Sequence, residues 1–182
     1  MAVRIALVGK HKSGRTWAAD YLRSQHKFKK MAFSDGLHVV IKRLYGYGIK
    51  ERVRWETGVR IYDALYAVDK TIWCGYIGKL IDMTTLDIVI DDPRYLNEVQ
   101  FLKDKGFTIV RIVAPEARRT RKLQMYKKAG AGLLDIYDLY SRDFNATAGV
   151  DYSIYNDDKE STRKALDKLV LDLRKLDIGS KT

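Results

Sequence analysis

VRIALVGKHKSGRTWAAD, residues 3–20, is the stretch around which the rest of the chain is organised. A short apolar run (Val3, Ile5, Ala6, Leu7, Val8) meets Gly9, and after an intervening loop Gly14-Arg15-Thr16 opens a helical pattern with Trp17, Ala18, Tyr21 and Leu22 on one face. That is strand, glycine-bounded loop, helix. A loop so placed sits at a helix N-terminus, where unpaired backbone N–H groups and the positive end of the helix dipole face outward. The spacing fits G-x-x-x-x-G-K-[ST], a phosphate cradle, with Gly9 and Gly14 letting the backbone wrap an anion and Thr16 placed to hold Mg²⁺. Arg15 stands where the pattern has Lys. It keeps the charge and grips phosphate oxygens with two N–H groups, but it is planar and bulkier than an ammonium. Lys10 and Lys12 lie inside the loop, either as a second cation or as solvated loop residues.

A length of 182 residues suits one domain, residues 1–182, with an adequate core. No apolar run approaches membrane-spanning length and no signal-peptide pattern opens the chain, so the expectation is a soluble cytoplasmic protein. With a single cysteine, Cys74, neither an internal disulfide nor a cysteine-built metal site can form, and its place beside Trp73 in a helical pattern reads as core. The three histidines, His11, His26 and His38, lack metal-ligand or triad spacing, and His11 and His26 read as surface residues.

The net charge of +11 points to a polyanion, whether nucleotide phosphates, nucleic acid or both. Two clusters carry much of it. In one, Lys10, Lys12, Arg15, Arg23, Lys27, Lys29 and Lys30 face a lone acid, Asp20; the other contains Arg118, Arg119, Arg121, Lys122, Lys127 and Lys128.

Onward from the first helix, residues 29–33 (KKMAF) read as a second strand, and Ser34-Asp35-Gly36 starts a helix that stops at Gly46. Asp35 is either a helix cap, worth about 1 kcal/mol, or a ligand-binding residue at the carboxyl end of a strand. Residues 51–83 are helical with a break near Gly58, flanked by Arg54 and Arg60, which either reach into a cleft or sit in solvent. Residues 86–90 (LDIVI) read as a buried parallel strand ending in Asp91-Asp92-Pro93-Arg94. Two carboxylates at such a tip need a cation, and beside Thr16 the natural one is Mg²⁺; Arg94 then suits the phosphate of a second substrate. The bland reading is a tight turn with a local ion pair. A helix ended by Gly106 and a strand over residues 108–113 complete a β-α-β-α alternation, predicting an α/β parallel sheet flanked by helices. Residues 116–132, a basic helix ending in Gly130-Ala131-Gly132, read as a lid, a solvated helix face or a DNA-backbone contact. Residues 133–144 read as an aromatic-rich helix, 152–155 as a last strand, Asn156-Asp157-Asp158 as a turn, and 159–176 as a closing amphipathic helix.

The sequence resembles the phage-type deoxynucleoside monophosphate kinases, relatives of adenylate kinase among the P-loop kinases. GKHKSGRTWAADYL is similar to their phosphate loop and first helix. FSDGLHVVIKRLYG resembles their A-D-P-L-K…F-G acceptor segment, with Asp35 on the Asp and His38 where Lys is usual. VIDDPRYLNEVQFLKDKGFTIVRIVAP is similar to V-I-x-D-x-R-x-x-N-E, placing Asp92 and Arg94 on the motif, and DYSIYNDDKESTRKALDKL to the closing D-x-x-I-x-N-D segment. The resemblance implies that Gly9, Lys12, Ser13, Gly14, Arg15 and Thr16 hold the ATP phosphates and that Asn156 lies near the donor base. It also implies that Asp35 and Arg94 hold the acceptor and that Arg118, Arg119 or Arg121 serves as the lid cation.

These readings converge on transfer of the γ-phosphoryl of ATP, with Mg²⁺, to a nucleotide acceptor. Catalysis is then positioning and charge neutralisation by the loop amides, Arg15, Arg94 and the lid arginines Arg118 and Arg121. Thr16 and Asp91 are the expected metal residues, Asp92 or Asp91 orients the metal's water shell or the attacking oxygen, and Arg60 joins Asp35 and Arg94 on the substrate side. The default acceptor is a deoxynucleoside monophosphate. The alternative is a hydroxymethylated base, such as 5-hydroxymethyluracil, in phage DNA, which the broad basic charge favours and which requires extrusion of the base. The third reading, motivated by Arg15, is a non-catalytic nucleotide-binding protein. No motif speaks to oligomeric state.

Overall fold

A computed structural model describes residues 2–46, 52–128 and 149–179. In chain order the elements are β1 (Arg4–Val8), α1 (Arg15–His26), β2 (Lys29–Met31), α2 (Ser34–Tyr45), α3 (Arg52–Val68), α4 (Ile72–Asp82), β3 (Ile88–Ile90), α5 (Leu96–Asp104), β4 (Thr108–Val113), α6 (Glu116–Lys128), β5 (Tyr152–Tyr155) and α7 (Lys159–Gly179). The five strands form one sheet in the order β2-β3-β1-β4-β5, every pairing parallel.

The apolar run of β1 is central because both its faces are covered. Ala6 and Val8 pack into a core with Leu37 and Ile41 of α2, Trp73, Ile77 and Ile81 of α4, and Val99 and Leu102 of α5. Ile5 and Leu7, pointing the other way by strand alternation, meet Ala18, Ala19 and Leu22 of α1 and Leu166, Leu169 and Val170 of α7. The result is helix, sheet, helix, with the carboxyl ends of the strands on one side.

Cys74 is buried in the first core, and burial pushes its thiol up to about 12, so it packs rather than reacts. The expected break at Gly58 is not there. α3 runs through it, Gly58 being buried, and the chain turns instead after Val68, where the Asp69 carboxylate accepts from the Thr71 N–H (2.8 Å) and hydroxyl (2.7 Å). One glycine costs a helix about 1 kcal/mol, which tertiary packing overrides. The two histidines read as surface residues are half-buried rather than fully exposed. His26 Nε2 lies 2.6 Å from Asp167 Oδ1 where α7 crosses α1, and His11 is half-buried with Nε2 shielded. Residues 129–132 of the expected lid and the expected helix over 133–144 lie outside the described residues. No helix among the described residues is long and apolar enough to cross a membrane.

Candidate active site

Leaving β1, the backbone takes left-handed dihedrals at Gly9 (φ +140°), Lys12 (φ +63°) and Gly14 (φ +105°). The two glycines also have no room for a side chain: a Cβ at Gly9 would press on the Ile112 carbonyl oxygen, and one at Gly14 on the Asn156 amide nitrogen. Ser13 N–H donates to the Lys10 carbonyl (3.1 Å) and closes the loop, and α1 begins at once with Arg15. No side chain caps α1 and no acid occupies its first turn, so its N-terminus presents backbone donors to an anion. Within the loop the Ser13 hydroxyl is buried yet finds no hydrogen-bond partner among the described residues.

Asn156 holds this shape from outside. Its N–H donates to the Val113 carbonyl (2.6 Å), its side-chain amide donates to the Ser13 carbonyl (2.7 Å), and its side-chain oxygen accepts from the Thr162 hydroxyl (3.2 Å). The side chain is thus engaged with the loop.

The carboxyl end of β3 brings Asp91 and Asp92 beside Arg15. Burial lowers the Arg15 guanidinium from its usual value and Arg94 adds to this, while Asp91 and Asp92 act to raise it; it stays a cation. Asp91 is buried, with Lys30 Nζ 3.3 Å from its carboxylate, and Lys30 also reaches Asp20 at 3.2 Å. Asp92 accepts from the Phe33 N–H (2.9 Å), the Ser34 N–H (3.0 Å) and the Ser34 hydroxyl (2.8 Å), so it caps α2 from a different strand. Asp35 accepts from the Ala32 N–H at 2.9 Å. Burial pushes the Asp35 carboxyl above its ordinary value against that hydrogen bond, with Asp92 and Asp91 pushing up and His38 pulling down. Thr16 is exposed in the first turn of α1.

Near Arg15, the Arg94 guanidinium lies 4.4 Å from the centroid of the Tyr62 ring. Tyr62 is fully buried, stacks on Trp73 (4.5 Å, 13°), and donates its hydroxyl hydrogen to Glu98 Oε1 at 2.6 Å. Glu98 Oε2 accepts from the N–H of Arg94 (2.5 Å) and Tyr95 (3.1 Å), fixing the backbone that carries Arg94. Burial raises the Glu98 carboxyl to about 7 although all three donors oppose it. Arg60 is exposed on α3 and is not part of this cluster.

From α6, Arg118 donates to the Asp157 carbonyl (3.1 Å) and to the Asn156 carbonyl. Arg119 is buried, pairs with Glu116 (2.6 Å) and reaches the His11 carbonyl of the loop at 3.5 Å. Arg121 points to solvent. A cavity of about 140 Å³ between the loop and α6 is lined by Lys10, Ser13, Arg111, Glu116 and Arg119 among others. Sequence reasoning named Lys30 only within a basic cluster and reached Glu98 only as the last residue of the V-I-x-D-x-R-x-x-N-E likeness, and it passed over Tyr62 and Arg111. Only Glu98 carried a local signal, an acid in the first turn of a helix, able to fold back on the N–H groups before it.

The residues suit a nucleoside triphosphate with Mg²⁺: the loop offers backbone donors and the orphan Ser13 hydroxyl, and Thr16 and Asp91 are hard oxygen donors.

No family model matches the sequence and no curated protein does. Solved structures do match in shape. Shikimate kinase from Bacteroides thetaiotaomicron superposes with a TM-score of 0.58 at 15% identity, covering 94% of this chain and 98% of that one. Dephospho-CoA kinase from Campylobacter jejuni gives 0.55 at 10% identity (93% and 96%). The APS kinase of Mycobacterium tuberculosis, in complex with AMPPNP and APS, gives 0.51 at 14% identity (96% and 99%). The chain has the P-loop kinase fold.

Proposed function

We propose that the protein is an ATP-dependent phosphotransferase that moves the γ-phosphoryl group, with Mg²⁺, to a nucleotide acceptor, a deoxynucleoside monophosphate. The observation that carries this is the loop itself: two glycines in left-handed geometry and an unpartnered buried Ser13 hydroxyl at an uncapped helix N-terminus, facing a strand tip with two carboxylates. Shape likeness to kinases of small molecules supports it.

In this reading the backbone donors of the loop, with Lys12 and Ser13, hold the donor phosphates, and Arg15 stands between them and the β3 acids. Thr16 and Asp91 would hold Mg²⁺, which would supply charge neutralisation at the donor phosphates. Asp92 works by fixing the start of α2, which presents Asp35 to the acceptor. Arg94, braced on Tyr62 and tied through Glu98, binds the acceptor phosphate. Arg118, Arg119 and Arg121 supply positive charge from α6, and the lid spans residues 116–132. A second reading, in which the acceptor is a hydroxymethylated base in DNA, is favoured by the net charge of +11.

The test is transfer of labelled γ-phosphate from ATP with Mg²⁺ to a panel of deoxynucleoside monophosphates and, in parallel, to duplex DNA with and without hydroxymethyluracil. The expected result is label in a nucleoside diphosphate. Label only in the modified DNA moves the acceptor to the polymer. ATP bound with label in neither overturns the enzyme and leaves a nucleotide-binding protein.

A further inference from the structure

Away from the phosphate loop, α1 and the start of α7 enclose a groove of about 540 Å³, lined by Trp17, Tyr21, Arg23, Ser24, Gln25 and Arg163 among others. No residue of the 9–16 loop lines it, so it is separate from the candidate active site. Its floor is aromatic and held in place. Trp17 and Tyr21, four residues apart on one helix, share a face. Their rings stack with centroids 5.9 Å apart and planes at 17°, and both are half-buried, packed on the core to one side and lining the groove to the other. Tyr21 donates its hydroxyl hydrogen to Asp167 (2.9 and 3.1 Å to the two oxygens), which ties the floor to α7.

The polar groups around this floor are engaged with one another. Asp20 holds Arg23 and Lys30, Gln25 donates to the Ser24 hydroxyl (3.3 Å), and Asp167 serves Tyr21 and His26. A site for one particular small molecule needs polar groups that converge on it; this groove offers ring faces and a guanidinium. Arg163 is exposed, lies 5.8 Å from the Tyr21 ring centroid, and meets no carboxylate among the described residues. Ring faces accept any nucleobase, and a guanidinium beside them suits the phosphate that joins one base to the next. Charge favours the same occupant: the first turn of α1 carries no acid, Arg23 is exposed in its last turn with Lys27 just beyond, and the whole chain carries +11.

We infer that the Trp17–Tyr21–Arg163 groove is a docking platform for single-stranded nucleic acid, with a base stacked on the aromatic floor and Arg163 on a flanking phosphate. Stacking reads neither the base edge nor the sugar hydroxyl, so an unpaired DNA or RNA strand fits, whereas the bases of a duplex are covered by their neighbours. The platform stands independently of the proposed phosphotransfer, and its failure leaves the loop reading untouched.

Fluorescence anisotropy with labelled oligothymidine, oligouridine and an abasic sugar-phosphate strand of equal length tests it in the full chain and in Trp17→Ala, Trp17→Phe and Arg163→Ala, with MgATP affinity measured alongside. One stacked base corresponds to about tenfold in affinity. The wild type should therefore bind at least one base-bearing strand about tenfold more tightly than the abasic strand, and the tighter of the two names the strand. Trp17→Ala should abolish that difference and Trp17→Phe restore most of it. Arg163→Ala, which removes an exposed side chain, should weaken all three strands and lower the salt slope by about 0.7. Equal wild-type affinity for base-bearing and abasic strands shows a contact through charge alone and overturns the platform. Base-bearing strands bound unchanged by Trp17→Ala lie elsewhere on the protein, and this also overturns it. Losses in Trp17→Ala shared equally by all strands and MgATP show a structural role, and a loss for MgATP alone shows a free-nucleotide site; either overturns it, as does a wild type that binds no strand.

Discussion

Gly14 and Gly46 are both left-handed, at φ +105° and +71°, but only one of them has neighbours. A Cβ at Gly46 meets nothing within 4 Å among the described residues, whereas one at Gly14 meets the Asn156 amide that holds the loop. Gly46→Ala therefore adds backbone strain alone, about 1–2 kcal/mol, and should leave ATP affinity unchanged. Gly14→Ala combines strain of about 1–3 kcal/mol with displacement of Asn156, and ATP binding should fall by at least tenfold. Urea unfolding and ATP titration of the two variants separate these effects; equal ATP affinities would show that the loop tolerates loss of the clamp. At this scale the sequence showed that the glycines matter, because both fit a spaced motif. It did not show why Gly14 has no room: its neighbour Asn156 lies on another strand's end, and no local pattern encodes that meeting.

Among the elements, the start of α5 carries an unusual charge. Free Glu titrates near 4.5, and burial lifts Glu98 to about 7 in the folded chain. Below the lower value both states hold the proton; between the two, the folded chain keeps a proton that the unfolded chain has released, so stability falls as pH rises through that window. At 1.36 kcal/mol per unit the loss is roughly 3 kcal/mol, and Asp35, raised by burial as well, adds in the same direction. Glu98→Gln keeps one oxygen for the Arg94 and Tyr95 N–H groups but sets an amide NH2 where Oε1 meets the Tyr62 hydroxyl, and its stability should vary less with pH. Unfolding free energies from pH 4.5 to 8 check this, and parallel curves for both proteins would contradict it. Periodicity located most of these elements. β4 emerges at Thr108–Val113 because its apolar run is continuous, and α2 ends at Gly46 because a left-handed cap is needed there. Gly58 misled because propensity is a weak prior against tertiary packing. The bond from Tyr62 to Glu98 was invisible for another reason: it joins α3 to α5, and sequence spacing within one helix says nothing about another.

Over the whole molecule the net charge of +11 stands however the ions pair, but several of the cations are held in place by acids. Asp20, the lone acid of the first cluster, serves both Arg23 and Lys30; Arg119 is taken by Glu116, Lys105 by Asp82 and Arg174 by Asp87. Duplex DNA should therefore bind through few phosphate contacts and be released by 200 mM salt, while ATP stays bound. Six or more contacts would instead show as a loss of roughly 10³-fold or more between 50 and 200 mM, and that slope would favour a polymeric acceptor. Affinity for unmodified duplex measured across salt decides between them. The α2 side of the site is built on the hold of Asp92 over Phe33 and Ser34. Those hydrogen bonds splice the first turn of α2 into the tip of β3, so the two move as one rigid body. Solvent can reach the amide hydrogens of Phe33 and Ser34 only when helix and strand part, which makes their exchange a shared event. On the proposed function, closure around substrates falls to the α6 side, with the joined α2 start and β3 tip as its fixed anvil.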